Sequence, residues 1–149
     1  MKIKSEEEMI ELGKTIAEQI NLSKYDSLVI YLKGNLGAGK TTFAKGFVKG
    51  MDFNELVTSP TYNLIETIET NNFIIYHVDL YRIESLNQIL ELELHEKPII
   101  DKPYIYLIEW PENGEDYILS ADLIINISFN VFSSIISGSL LTGPTGIQK

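Results

Sequence analysis

Gly34-Asn35-Leu36-Gly37-Ala38-Gly39-Lys40-Thr41 is the stretch that decides the fold of this chain. It has the spacing G-x-x-x-x-G-K-[ST], and its flanks fit: the apolar run Leu28-Val29-Ile30-Tyr31-Leu32 precedes it as a buried strand, and Thr41 to Met51 follow as a helix. At average residue usage, a chance match in a chain of this size is roughly 1% or less. Glycines let a backbone wrap closely around phosphate oxygens, while the next helix offers unpaired N–H groups and the positive end of its dipole. Gly37, Ala38, Gly39, Lys40, Thr41 and Thr42 are therefore the expected nucleotide-binding residues. Lys40 is expected to reach the β- and γ-phosphates, and the Thr41 hydroxyl to ligate a magnesium ion that bridges them.

A loop of this kind needs an acidic side chain at the end of a neighbouring strand. Glu109 closes the apolar run Tyr104-Ile105-Tyr106-Leu107-Ile108, as expected of a metal-binding acid emerging at the C-terminal edge of a buried strand. Asp79 follows Phe73 to Val78 and precedes Tyr81-Arg82, where it can bind metal through water or orient the attacking water. Lys40, Asp79 and Glu109 form the expected catalytic set, with Thr41 and Glu109 on the metal. Thr58-Ser59-Pro60-Thr61-Tyr62 has hydroxyls able to sense a γ-phosphate, in the manner of a switch loop. His77 lies among strand residues and reads as a packed, hydrogen-bonded histidine rather than a base; His95 lies in a charged surface run. Trp110 fits a place over the nucleotide, against a partner, or in the core.

Further out, Ser5 and Glu8 form a capping-box pattern ahead of Met9, Leu12, Ile16, Ala17 and Ile20, which recur at helical spacing. Gly46 and Gly50 weaken the second helix unless they permit close packing or end it, and Gly50 is the expected stop. Tyr62 to Ile68 and Phe73 to Leu80 flank Asn71-Asn72 as a β-hairpin. Ser85 can cap a short helix carrying Leu86, Ile89 and Leu90, against the alternation in Glu91-Leu92-Glu93-Leu94. Leu123 to Phe129 is a further strand. The expected architecture is α/β: a mixed, mainly parallel sheet of the P-loop kind, flanked by helices and carrying a hairpin, in one domain over residues 1–149. Residues 133–149, rich in Ser, Gly and Thr, fit a last strand with a loose end or an atypical tail.

Composition narrows the function. The 149 residues carry 12 Lys plus Arg against 21 Asp plus Glu, a net charge of -9, which speaks against a broad surface for gripping nucleic acid directly. With no cysteine, thiolate chemistry and Cys-ligated metals are excluded. No signal-peptide core or run of about 20 apolar residues is visible, so a soluble, cytoplasmic protein without membrane contact is expected. Arg82 stands alone among eleven lysines, which weighs against a small-molecule kinase closing an arginine-bearing lid over the transferring phosphate. A GTPase is disfavoured because no Asn-Lys-x-Asp segment exists to read guanine.

Taken together, Gly34 to Thr42, Ser59-Pro60-Thr61-Tyr62, His77-Val78-Asp79-Leu80-Tyr81-Arg82 and Leu107-Ile108-Glu109-Trp110 resemble the bacterial TsaE family, also called YjeE, over roughly residues 5 to 129. The resemblance implies a small P-loop ATPase, using ATP and Mg2+, that supports formation of threonylcarbamoyladenosine at position 37 of tRNAs reading codons that begin with A. It implies TsaD and TsaB as partners, with tRNA met only through their complex. Members usually end in a strand with a basic residue near the nucleotide, and nothing in Val131 to Lys149 matches it. Two other classes stay open on the residues: a P-loop small-molecule kinase, and a binding subunit gated by nucleotide whose hydrolysis is incidental.

Overall fold

The computed structural model describes residues 1–23, 25–52, 63–130 and 133–140, so the switch-like segment Thr58 to Tyr62 lies outside the described residues. Elements follow in the order β1 (Lys2–Ile3), α1 (Glu6–Leu22), β2 (Ser27–Lys33), α2 (Lys40–Gly50), β3 (Ile65–Glu69), β4 (Ile74–Asp79), α3 (Leu86–Glu91), β5 (Tyr104–Glu109), β6 (Leu123–Asn130) and β7 (Ser133–Leu140). Two short 3-10 turns, Pro111–Asn113 and Glu115–Tyr117, come between β5 and β6.

The strands form one sheet in the order β1-β7-β6-β2-β5-β4-β3. Its centre is parallel, with β2 between β5 and β6 and β4 on the far side of β5; both margins are antiparallel. The mixed sheet with its β3–β4 hairpin agrees with the sequence. Ser133–Leu140 supplies the last strand, and Lys2–Ile3, too short to show a period in the sequence, pairs with it.

Each side of the sheet has its own core, and β5 serves both. Ile105 and Leu107 point into a cluster with Phe43, Phe47 and Val48 of α2 and Ala17 of α1. Tyr104, Tyr106 and Ile108 point the other way, against Ile89, Leu94 and Ile118. A strand buried on both faces must be apolar throughout, which is why Tyr104–Ile108 reads as an unbroken run. Ser85 caps α3 by accepting from the Gln88 amide. The helix ends at Glu91, and the alternation beyond it serves a turn in which Glu93 is left-handed and Leu94 is buried.

Ser5 caps α1 by accepting from the Glu8 amide, while the Lys4 amide donates to Glu8 Oε2, which completes the capping box. The two long helices touch backbone to backbone. A Cβ built on Gly46 would lie 2.1 Å from the Ile10 carbonyl oxygen, so only glycine allows this separation. That contact sets how close α2 lies to α1. Among the described residues, no helix is long and apolar enough to cross a membrane.

Gly46→Ala is expected to cost about 1–3 kcal/mol, because the new methyl meets backbone rather than a side chain that can move aside. Urea unfolding of the variant measures this; unchanged stability would show that the two helices can separate freely.

Candidate functional site

The site lies where the parallel strands end. β2 runs into Gly34, β5 ends on Glu109 and β4 on Asp79, and the last two are register partners on neighbouring strands. α2 starts directly from the loop, with Gly39 as its N-cap at φ 104, a conformation that leaves the first helical amides facing outward at small steric cost. Leu36, Gly37, Ala38, Gly39, Lys40, Thr41 and Thr42 line a cavity of about 340 Å³ together with Asp79, Tyr81, Glu109 and Trp110. Every residue expected from the sequence to bind phosphate or metal therefore meets Asp79 and Glu109 in one place.

Lys40 is buried, and its ammonium is held by three groups. Nζ donates to the carbonyl oxygens of Gly34 (2.5 Å) and Asn35 (3.0 Å), and it lies 3.9 Å from the centre of the Trp110 ring. Burial pulls its pKa below the ordinary lysine value, opposed by the charges of Glu109, Glu112 and Asp79.

Trp110 reaches Lys40 from a left-handed backbone, φ 56, just ahead of Pro111. A non-glycine residue there costs about 1–3 kcal/mol and needs its surroundings to hold it. The ring stacks at a tilt on Tyr81, 4.9 Å between centres, and packs against the Tyr106 core. Of the places open to it from the sequence, Trp110 thus takes a half-buried one between core and cavity.

Glu109 is only 2% exposed, yet its carboxylate is well supplied. Thr41 Oγ1 lies 3.1 and 3.0 Å from its two oxygens, and His77 Nε2 lies 2.8 Å from Oε1. His77 is fully buried. Burial alone would push its pKa down, but hydrogen bonding to Glu109, reinforced by the charges of Glu109 and Glu66, raises it to about 9. Asp79 accepts from the Tyr81 amide at 3.0 Å; burial lifts its pKa above the usual carboxylate value, against that hydrogen bond and the charges of His77 and Arg82. Arg82 itself is exposed on the turn after β4.

Sequence reasoning reads His77 as packed and hydrogen-bonded, and it is. What it misses is the partner, the carboxylate expected to hold metal. The available signal is period: residues 77 and 79 share one face of β4, and a polar side chain in an otherwise apolar run needs a polar neighbour.

Oxygen donors suit a hard cation here, since Thr41 and Glu109 already converge at 3.0–3.1 Å. Among the described residues, no group of three or more His, Cys, Asp or Glu is placed to hold a metal by itself.

A glycine loop between a central parallel strand and a helix, with an acid at the end of the neighbouring strand, defines the class of P-loop proteins. Within that class, residues 3–133 match the family described as "Threonylcarbamoyl adenosine biosynthesis protein TsaE", and the chain belongs to the TsaE family. It is 36% identical over 128 residues to the tRNA threonylcarbamoyladenosine biosynthesis protein TsaE of Haemophilus influenzae, covering 85% of this chain and 80% of the relative. The Borreliella burgdorferi protein of the same name is 33% identical over 134 residues, covering 90% and 93%. Among solved structures, Bacillus subtilis YdiB superposes with a TM-score of 0.60 at 26% identity, over 85% of this chain and 77% of that one.

Since Trp110 is the sole tryptophan, its emission reports the Lys40 contact. Lys40→Met is expected to shift that emission while circular dichroism stays the same; an unchanged spectrum would place the ammonium elsewhere.

Proposed function

We propose that this chain is a magnesium-dependent ATPase that acts in the cytoplasm, with TsaD and TsaB, in forming threonylcarbamoyladenosine on tRNA. Family membership supports the pathway. The observation that carries the chemistry is the convergence of Thr41 and Glu109 beside a glycine loop whose lysine already seeks oxygen ligands.

The loop amides of Gly37 to Thr42 bind phosphate oxygens, and Lys40 Nζ leaves the Gly34 and Asn35 carbonyls for the outer phosphates. Thr41 and Glu109 would hold Mg2+, which would draw charge from the phosphate oxygens and so lower the barrier to transfer of the γ-phosphoryl group to water. Asp79, across from Glu109, holds a water molecule either on the metal or in line for attack. Trp110 and Tyr81 wall the cavity. Among the described residues Lys40 is the cation lining the cavity, and Arg82, the sole arginine, is exposed and acts on Asp79, so few positive charges face the transition state before a partner docks. Hydrolysis is accordingly slow alone and faster once the partner complex completes the site.

The test combines ATP turnover with tRNA modification, each measured with and without TsaD–TsaB. Lys40→Ala is expected to weaken ATP binding about 10- to 100-fold, the worth of a charge-assisted contact. Glu109→Ala is expected to lower Mg2+-dependent hydrolysis about 100-fold or more while affecting nucleotide capture less. Normal hydrolysis in either variant removes the role given to that residue. Turnover that requires a small hydroxyl acceptor and ignores the partners would instead identify a kinase. Nucleotide-dependent docking with full tRNA modification in a variant unable to hydrolyse ATP would identify a gated binding subunit.

A further inference from the structure

A polar line crosses the sheet beneath the site. Glu109 lies at the end of β5, His77 two residues before the end of β4, and Glu66 on the edge strand β3, directly opposite His77 in register. His77 Nε2 is 2.8 Å from Glu109 Oε1, while its Nδ1 is 3.9 Å from Glu66 Oε2. Neither Nδ1 nor that Glu66 oxygen has a hydrogen-bond partner among the described residues.

This is a costly way to fill a core position. His77 is wholly buried on the same face of β4 as Ile75, where leucine or phenylalanine would leave no ring nitrogen short of a partner. The Nε2 bond is what distinguishes the imidazole from an apolar filler. A carboxylate has about four lone-pair sites, and its rotamer is fixed only when several are engaged. The other group hydrogen-bonded to Glu109 among the described residues is the Thr41 hydroxyl, whose oxygen must turn a lone pair toward any cation it ligates. The contact from His77 is independent of that turn. It holds Oε1 at 2.8 Å, while Oε2 has the Thr41 hydroxyl at 3.0 Å.

We propose that His77 is a positioning residue for the Glu109 carboxylate, with Glu66 orienting the imidazole, so that the site is set for a divalent cation before the cation arrives. Groups behind a metal ligand commonly tune metal affinity in this way. The inference rests on the reading that Thr41 and Glu109 hold the cation.

Calorimetric titration with a non-hydrolysable ATP analogue at graded Mg2+, alongside thermal unfolding, tests it without requiring turnover. In His77→Leu, half-saturating Mg2+ is expected to rise about 10-fold or more, with analogue affinity in the absence of Mg2+ changed by less than about twofold. His77→Gln returns an N–H donor to the same region and is expected to recover most of the loss. Glu66→Gln, on a partly exposed edge position, is expected to raise half-saturating Mg2+ by about two- to fivefold, and it decides the matter if His77→Leu does not fold. Wild-type Mg2+ dependence in folded His77→Leu or in Glu66→Gln overturns the proposal, as does equal loss in the Leu and Gln variants of His77. If the unaltered chain binds the analogue without regard to Mg2+, the placement of the cation on Thr41 and Glu109 fails first, and the positioning role falls with it.

Discussion

A carboxylate taken out of water is expensive unless its oxygens find donors, and Glu109 is almost entirely out of water. The surrounding architecture supplies them. Thr41 can reach Glu109 because α2 starts directly at the loop and places Thr41 in its first turn, beside the end of β5. His77 can reach it only because β4 pairs with β5 in the one register that puts Asp79 beside Glu109 and His77 one pleat behind. A slip of a single residue would turn His77 toward the opposite core and leave the carboxylate underpaired. The fold and the site therefore share one constraint.

Lys40 obeys the same rule with opposite charge. Its ammonium is satisfied by two main-chain carbonyls and an aromatic face, so a phosphate must compete with protein groups as well as with water. The ammonium also couples the loop to Trp110, whose left-handed backbone is tolerated because the ring packs on Tyr81 and Lys40 together.

How far the sequence could be read depends on how local each feature is. The phosphate loop is contiguous, and its flanking strand and helix carry their own periodicity, so Gly34 to Thr42 was legible outright. Glu109 and Asp79 were legible as acids ending apolar runs, because the C-terminal edge of a parallel sheet is where such runs deliver them. The His77–Glu109 bond was not, since it spans 32 residues and depends on strand register, which no window of sequence contains. The Lys40–Trp110 contact was hidden in the same way, behind a backbone turn before Pro111 that normally favours an extended residue. At the margins, a two-residue strand such as Lys2–Ile3 has no periodicity to detect and exists through its pairing with Ser133–Leu140.

The charge of the chain then takes on a particular meaning. A protein of net charge -9 that takes up a triphosphate, as proposed, would face long-range repulsion, and the charges of Glu109, Glu112 and Asp79 all act on Lys40, the one lysine buried among the described residues. Main-chain amides and a single ammonium offset only part of that. A divalent cation held between Thr41 and Glu109 would neutralise the acids and the phosphates together, so free nucleotide and its magnesium complex should differ more in affinity here than in a site rich in arginine. On the proposed function, the same acids that oppose a bare triphosphate make the site selective for its metal complex. The carboxylate at the centre, fixed from behind by His77, is then the element through which fold stability and metal preference are linked.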